Sequence, residues 1–448
     1  MPTSHSPEHV STDSVDDPTY CQSRLLLVVL TAIVNAIMLF SVIPEVTNRI
    51  EVFYNQDAFA DGYDQLASNL AEGHGYRVYP DTAPTLMREP GYPMLLAGIF
   101  IVFGRSLATV KLANMFLAFA AAWLMTRIAR KLSSSQLLIL GSPLLFLFHP
   151  GTLIAESRGG VEVLFTFLVV LFLLTIYRAI ERNRRWDYLV SGGVLGLTVL
   201  TKSTPMFFPF FLLAYLLVFE RKWSKPNICW NIALMVIAMF AVLSPWIIRN
   251  YLLTRKFVPT ATVLGVSAHA GLYNNTHLSS DTSWALVDRA GARERRRLAE
   301  ELGYPFKEVK EAYYQDFYSS KDEVEFSNYL VKRVMREYEK SPRLFMSCVS
   351  SNLFNLWFRG KTWISTAMNL VVQLPYLILA GMGAVLCVRN KQFKVIAPLV
   401  LFLIYFVAVY VPILAQARYT VPLIPILSIL ACITLVAAQR RLGGERKA

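Results

Sequence analysis

Three aspartates, Asp57, Asp61 and Asp64, fall within eight positions of a 448-residue chain, and Asp57 and Asp61, four apart, would share one face of a helix. Such a face can accept a proton from a hydroxyl, the work of a general base; the same spacing also suits a solvated helix whose acids only keep it soluble. Glu162 opens a long apolar run, where a carboxylate is costly unless paired or hydrated, and Arg158 one turn earlier could pair with it. Four cations, Arg88, Lys202, Arg249 and Arg418, stand at the edges of apolar runs. Arginine offers an anion a planar fork and lysine a point charge, although either can simply snorkel at a membrane boundary. His74, His149, His269 and His277 have no metal-ligand spacing. The five cysteines, Cys21, Cys229, Cys348, Cys387 and Cys432, are too scattered for a disulfide framework or a zinc site. No glycine-rich phosphate loop and no Asp-x-Asp pair beside a predicted strand occurs, so no cofactor or metal is required. A divalent metal between Asp61 and Glu162 remains an option.

The elements that must position these residues follow from composition. The chain is 54% hydrophobic and 17% charged, against roughly 45–50% and 25% for a soluble protein, which excludes a soluble enzyme. Eleven apolar runs approach the length a helix needs to cross a bilayer: Leu25 to Pro44, then 91–103, 107–126, 136–149, 161–177, 188–201, 205–219, 228–248, 367–388, 395–414 and 420–438. The expected fold is an all-α integral membrane bundle of about 10–12 transmembrane helices, with amphipathic helices in its outer loops. The net charge of +13 sits mainly in short loops between the runs, where it sets orientation and implies no nucleic acid. The clusters Arg127/Arg130/Lys131, Arg178/Arg182/Arg184/Arg185, Arg221/Lys222/Lys225, Arg389/Lys391/Lys394 and Arg440/Arg441 are thereby assigned to the cytoplasm.

Residues 1–22 read as a disordered cytoplasmic tail, 23–249 as an N-terminal transmembrane module with a first outer loop at 45–90, 250–366 as an outer amphipathic segment, and 367–448 as C-terminal transmembrane helices with a basic cytoplasmic tail. Within 250–366, Arg293 to Leu302 and Glu323 to Glu339 look helical. Two full crossings between Pro90 and Arg127 would put the Arg127 cluster on the wrong side, so either the 91–103 run is re-entrant or the charge rule fails there.

The first outer loop carries an ordered set of signals: Asp61, Tyr63, Ala67 and Leu70 at helical spacing, Gly73 and Gly75 as a helix stop, then Arg88 with Pro90 and Pro93 at the mouth of the next run. This order resembles the first outer loop of the GT-C membrane glycosyltransferases, in particular the protein-mannosyltransferase-like branch with the lipid A aminoarabinose transferases and rhizobial lipopolysaccharide transferases. The resemblance continues through Glu162 at the start of a run, the Leu-Thr-Lys turn at Lys202, Ser-Pro-Trp-Ile-Ile-Arg-Asn with Arg249, and Arg418–Tyr419 before the last run, and spans about Leu25 to Ala438. The chain departs at the acid: several relatives carry it three or four residues before the tyrosine, where this chain has Ala60 and Phe59.

The resemblance implies an inverting glycosyltransferase that moves a sugar, hexosyl or pentosyl, from a polyprenyl-phosphate donor to a glycan, lipid or protein acceptor at the outer face of the cytoplasmic membrane, among membrane lipids. It implies a loop aspartate as base, Asp61 with Asp57 as the alternative, and Arg88, Lys202, Arg249 and Arg418 as holders of the donor phosphate. Tyr63, Glu162 and Tyr419 would support them. The rival class is a transporter or flippase of lipid-linked sugars, which should place its ionisable residues at mid-span and show related halves; neither feature is visible.

Overall fold

The structure is a computed structural model that describes residues 18–50, 62–220, 222–278, 284–308 and 315–445. Asp57 and Asp61 lie outside the described residues. The first span begins as α1 (Pro18–Ile37), passes through a π-helical turn (Met38–Val42) and ends as α2 (Ile43–Ile50). Its first five described residues, 18–22, lie within the predicted tail.

After the short α3 (Tyr63–Ala71) come α4 (Gly91–Phe103), α5 (Leu107–Leu132), α6 (Gln136–Leu147), α7 (Pro150–Ser157), α8 (Glu162–Arg182), α9 (Arg185–Thr201), α10 (Phe208–Phe219) and α11 (Lys225–Thr254). A mixed segment follows: α12 (Val263–His277), α13 (Trp284–Glu301), an antiparallel ribbon of β1 (Phe306–Glu308) and β2 (Gln315–Phe317), α14 (Ser320–Lys340) and α15 (Pro342–Phe358). Its α13 and α14 cover the two stretches expected to be helical, all but Leu302. The chain closes with α16 (Trp363–Arg389), α17 (Phe393–Tyr410), a 3-10 stretch (Ala417–Leu423) and α18 (Ile424–Glu445).

All eleven apolar runs are therefore helical. Among the described residues seven helices are long and apolar enough to cross a membrane, or eight if α6 and α7, bent by 48° at His149–Pro150, count as one span. The remaining runs are the shorter α4, α9 and α10. The protein is a multi-pass, all-α membrane protein.

Pairings fix the two ends of the bundle. At one end Lys131 pairs with Glu181, Arg178 with Asp187 and Lys394 with Glu220, and the Tyr177 hydroxyl donates to the Val395 carbonyl. These are the basic loops assigned to the cytoplasm. At the other end the Tyr92 hydroxyl donates to the Gly159 carbonyl, and Thr204 meets the Tyr410 hydroxyl.

Helix α4 occupies the stretch in conflict. Its 13 residues rise about 20 Å, short of the ~30 Å hydrocarbon core. Tyr63 and Ala67 of α3 pack along it against Tyr92 and Leu96, and Arg105, just beyond its far end, pairs with Asp64. Both ends of α4 thus stay beside α3.

Apolar contact gains little when the alternative is lipid, so close backbone approach does the packing. Gly192 and Gly196 bring α9 against α11: a Cβ on Gly192 would sit 2.2 Å from the Met235 carbonyl oxygen, and one on Gly196 would sit 2.7 Å from the Val242 Cβ. That contact couples the helix ending at Lys202 to the helix carrying Arg249.

Candidate functional site

The site is built on the loop between α3 and α4. Gly62 precedes α3 with φ +71°, and Gly73 and Gly75 follow it at +81° and +84°; these left-handed positions favour glycine and turn the chain back. The Asn69 amide donates to the Arg77 and Val78 carbonyls, each at 2.7 Å, closing the return. The Tyr76 hydroxyl then donates to the Arg88 and Glu89 carbonyls at 3.0 and 3.1 Å, fixing the stretch that leads into α4. Arg88 projects over the Tyr63 ring, 5.3 Å from its centroid.

Two features bring this loop to the end of α9. Gly91 allows contact, since a Cβ there would lie 2.7 Å from Thr201 Oγ1 and 2.9 Å from the Leu200 carbonyl oxygen. The buried Glu89 carboxylate accepts from the Ser203 backbone N–H at 3.0 Å. Arg88 and Lys202 are therefore held one residue to either side of a direct hydrogen bond.

The Lys202 ammonium lies among three rings, 4.6 Å from the centroid of Tyr419 and 5.9 Å from those of Phe165 and Tyr410. Tyr410 and Tyr419 stack at 4.9 Å. The Arg418 guanidinium lies 5.4 Å from the same Tyr419 ring, and its Nε donates to Gln416 Oε1 at 2.9 Å. Lys202 makes no ion pair among the described residues. Two cations thus share one aromatic ring at the loop-bearing end of the bundle. Glu162 stands one helical turn before Phe165 on α8, and Glu89, Glu162 and Arg418 all act electrostatically on the Tyr410 hydroxyl.

Arg249 is placed differently. It lies over Trp246 and Tyr76, 4.3 and 5.3 Å from their centroids. Its guanidinium donates to Asn250 Oδ1 at 2.9 Å and to the Thr85 and Tyr76 carbonyls at 3.1 and 3.4 Å. Those contacts clamp the loop to α11.

A second brace comes from the mixed segment. Buried Glu323 accepts from the Thr85 hydroxyl at 2.8 Å, the Leu86 N–H at 3.0 Å and the Thr262 hydroxyl at 2.5 Å, and Asp316 accepts from the Thr82 hydroxyl at 2.5 Å. Burial pushes the Glu323 carboxyl up to about 7 and Asp316 up to about 6, from ordinary values of 4.5 and 3.8. A carboxyl that holds its proton more tightly when folded contributes stability that is fully present below its unfolded value and is lost as pH rises through its folded value. The brace should therefore weaken between about pH 4 and 7. The expected result is a falling thermal midpoint of the detergent-solubilised protein from pH 5 to 8, with a shallower fall in Glu323→Gln. Equal slopes in the two proteins would refute it.

The structure thus gathers Tyr63, Arg88, Glu162, Lys202, Arg418 and Tyr419 around one end of the bundle, with Arg249 behind the loop. Sequence reasoning missed Glu89, Phe165, Tyr410 and Glu323. Glu89 alone had a local signal, as a carboxylate between Arg88 and Pro90 at the mouth of a run. The His149 imidazole accepts from the Gly151 N–H and caps α7. Among the described residues no group of three His, Cys, Asp or Glu could hold a metal, and Asp61, one half of the sequence-based option, lies outside them.

Residues 84–247 match the family described as dolichyl-phosphate-mannose-protein mannosyltransferase. That stretch runs from the loop through about three-quarters of α11, includes Arg88, Glu162 and Lys202 and stops short of Arg249, and over it the match bears out the resemblance to the GT-C membrane glycosyltransferases. The crystal structure of ArnT from Cupriavidus metallidurans bound to undecaprenyl phosphate is similar at a TM-score of 0.40 and 12% identity, over 91% of this chain and 77% of that one. That likeness is too distant to assign a site. No curated protein matches the chain.

Proposed function

We propose that the protein is a glycosyltransferase that moves one sugar, hexosyl or pentosyl, from a polyprenyl-phosphate donor to a hydroxyl of a glycan, lipid or protein acceptor, at the outer face of the cytoplasmic membrane. The acceptor oxygen attacks the anomeric carbon as the bond from that carbon to the phosphate oxygen breaks, inverting the centre. The acceptor proton passes to Asp61, with Asp57 the alternative, and polyprenyl phosphate departs. Lys202, Arg418 and Arg88 hold the departing phosphate, while Arg249 positions the loop that carries Arg88. The observation that carries this reading is the pair of cations on one tyrosine ring, with Lys202 lacking any described acidic partner. It stands where an apolar bundle meets a polar loop, which supports the reading of a site for a lipid-linked phosphate. The matched family's description names a donor of that class, mannose on dolichyl phosphate.

The test uses purified protein in detergent, a radiolabelled polyprenyl-phosphate sugar and a hydroxyl acceptor. Free polyprenyl phosphate should form only with acceptor present. Passage of the intact donor across proteoliposomes without its cleavage would establish the transporter reading instead.

A further inference from the structure

Between the end of α12 and the last turns of α15 lies a cavity of about 300 Å³ lined by Asn275, Leu278, Ser351, Phe354, Asn355 and Arg359. Two of its lining residues, Asn275 and Asn355, belong to a ladder of amides. The Asn275 amide donates to Asn352 Oδ1 at 2.9 Å and to the Gly271 carbonyl at 2.8 Å, and its own Oδ1 accepts from Asn355 at 3.3 Å. Asn352 in turn donates to the Val411 carbonyl at 2.9 Å. The ladder uses both N–H donors of Asn275 and one of Asn355. The Asn355 oxygen and second N–H, the Ser351 hydroxyl and the Arg359 guanidinium have no partner among the described residues.

This cavity adjoins the Lys202 cage. Val411 directly follows Tyr410, and Leu278 shares an apolar cluster with Tyr419 and Leu414. Gly271 presses α12 onto the same turn, where a Cβ would fall 1.8 Å from the Ile413 carbonyl oxygen.

A guanidinium without an acid calls for an anion. A fixed amide and a hydroxyl beside it suit the donor-and-acceptor pattern of sugar hydroxyls, and Phe354, 46% exposed, offers a flat face to the C–H side of a ring. The volume is at the small end of ligand sites, room for one monosaccharide. We propose that this cavity binds an anionic sugar unit, bearing phosphate or carboxylate, of the acceptor; the word acceptor rests on the transferase reading, the binding site does not.

The test is titration calorimetry on the detergent-solubilised full chain with glucose 6-phosphate, glucuronate, glucose and glycerol 3-phosphate. The two charged sugars should bind, with glucose and glycerol 3-phosphate each at least about tenfold weaker. Arg359→Gln should weaken both charged sugars about tenfold, roughly one lost charge-assisted contact. Ser351→Asp, which sets a carboxylate in the same cavity, should do likewise and serves if Arg359→Gln does not fold. Unchanged affinity in the variants, or glucose binding as well as its phosphate, would overturn the site. Glycerol 3-phosphate matching glucose 6-phosphate would make it a lipid-headgroup site and also overturn it. Binding that persists in a protein without transfer activity would leave the site standing and sink the transferase reading, whereas transfer without binding would do the reverse.

Discussion

Asp61→Asn is expected to lower turnover by about 10²–10⁴-fold while donor binding persists. The amide keeps the size and much of the hydrogen bonding of the carboxylate but cannot take the acceptor proton, so the loss should fall on kcat. Asp57→Asn should be mild under the same assignment. The two acids are four positions apart and would share a helix face, so the pair must be measured together. Collapse in Asp57→Asn with near-normal Asp61→Asn would move the role to Asp57. Normal turnover in both would remove the loop base from the mechanism.

Lys202→Ala should weaken use of the lipid donor by about ten- to a hundredfold, the loss of a charge-assisted contact of order 1.5–3 kcal/mol. The cage explains why this cation is placed for an anion. Phe165, Tyr410 and Tyr419 surround the ammonium with rings, and it makes no ion pair among the described residues; under the proposed reading its charge faces the departing phosphate. Lys202→Arg should restore only part of the effect, because a planar fork does not fill a cage shaped around a compact charge. Arg249→Ala should behave differently, raising proteolysis of the 76–90 stretch along with the donor KM, since its donors hold the Thr85 and Tyr76 carbonyls. An unaltered apparent donor affinity in Lys202→Ala would remove it from phosphate binding.

The spans were legible because an apolar run near bilayer length has few other uses, and Gly73 and Gly75 were legible as a helix stop because left-handed backbone needs glycine. The packing of α4 was not, since the contact that ties its far end to α3, Arg105 with Asp64, joins residues 41 positions apart. The bend at His149–Pro150 was hidden because the apolar run stops there while the helical path continues into α7. Arg249 shows the limit of position as a guide: a cation at the mouth of a span can face a ligand or a carbonyl, and only the packing of Tyr76 and Trp246 around it directs its donors. Tyr410 read as one more apolar residue until Thr204 and Lys202 were brought beside it. Asp57 and Asp61 lie outside the described residues, and their roles rest on the sequence and on the variants above.

The Glu323 brace has a consequence for the order in which a working molecule comes into being. Its partners on the loop, Thr85 and Leu86, precede it by 238 and 237 residues, and Thr82 precedes Asp316 by 234. During synthesis the stretch carrying Arg88 therefore leaves the ribosome, and α4 through α13 are made, before the carboxylates that fasten it exist. A nascent chain released anywhere short of α14 has its spans through α11 but an unfastened loop, and still lacks α16 to α18. The protein becomes competent late and all at once, as the last quarter of the chain arrives.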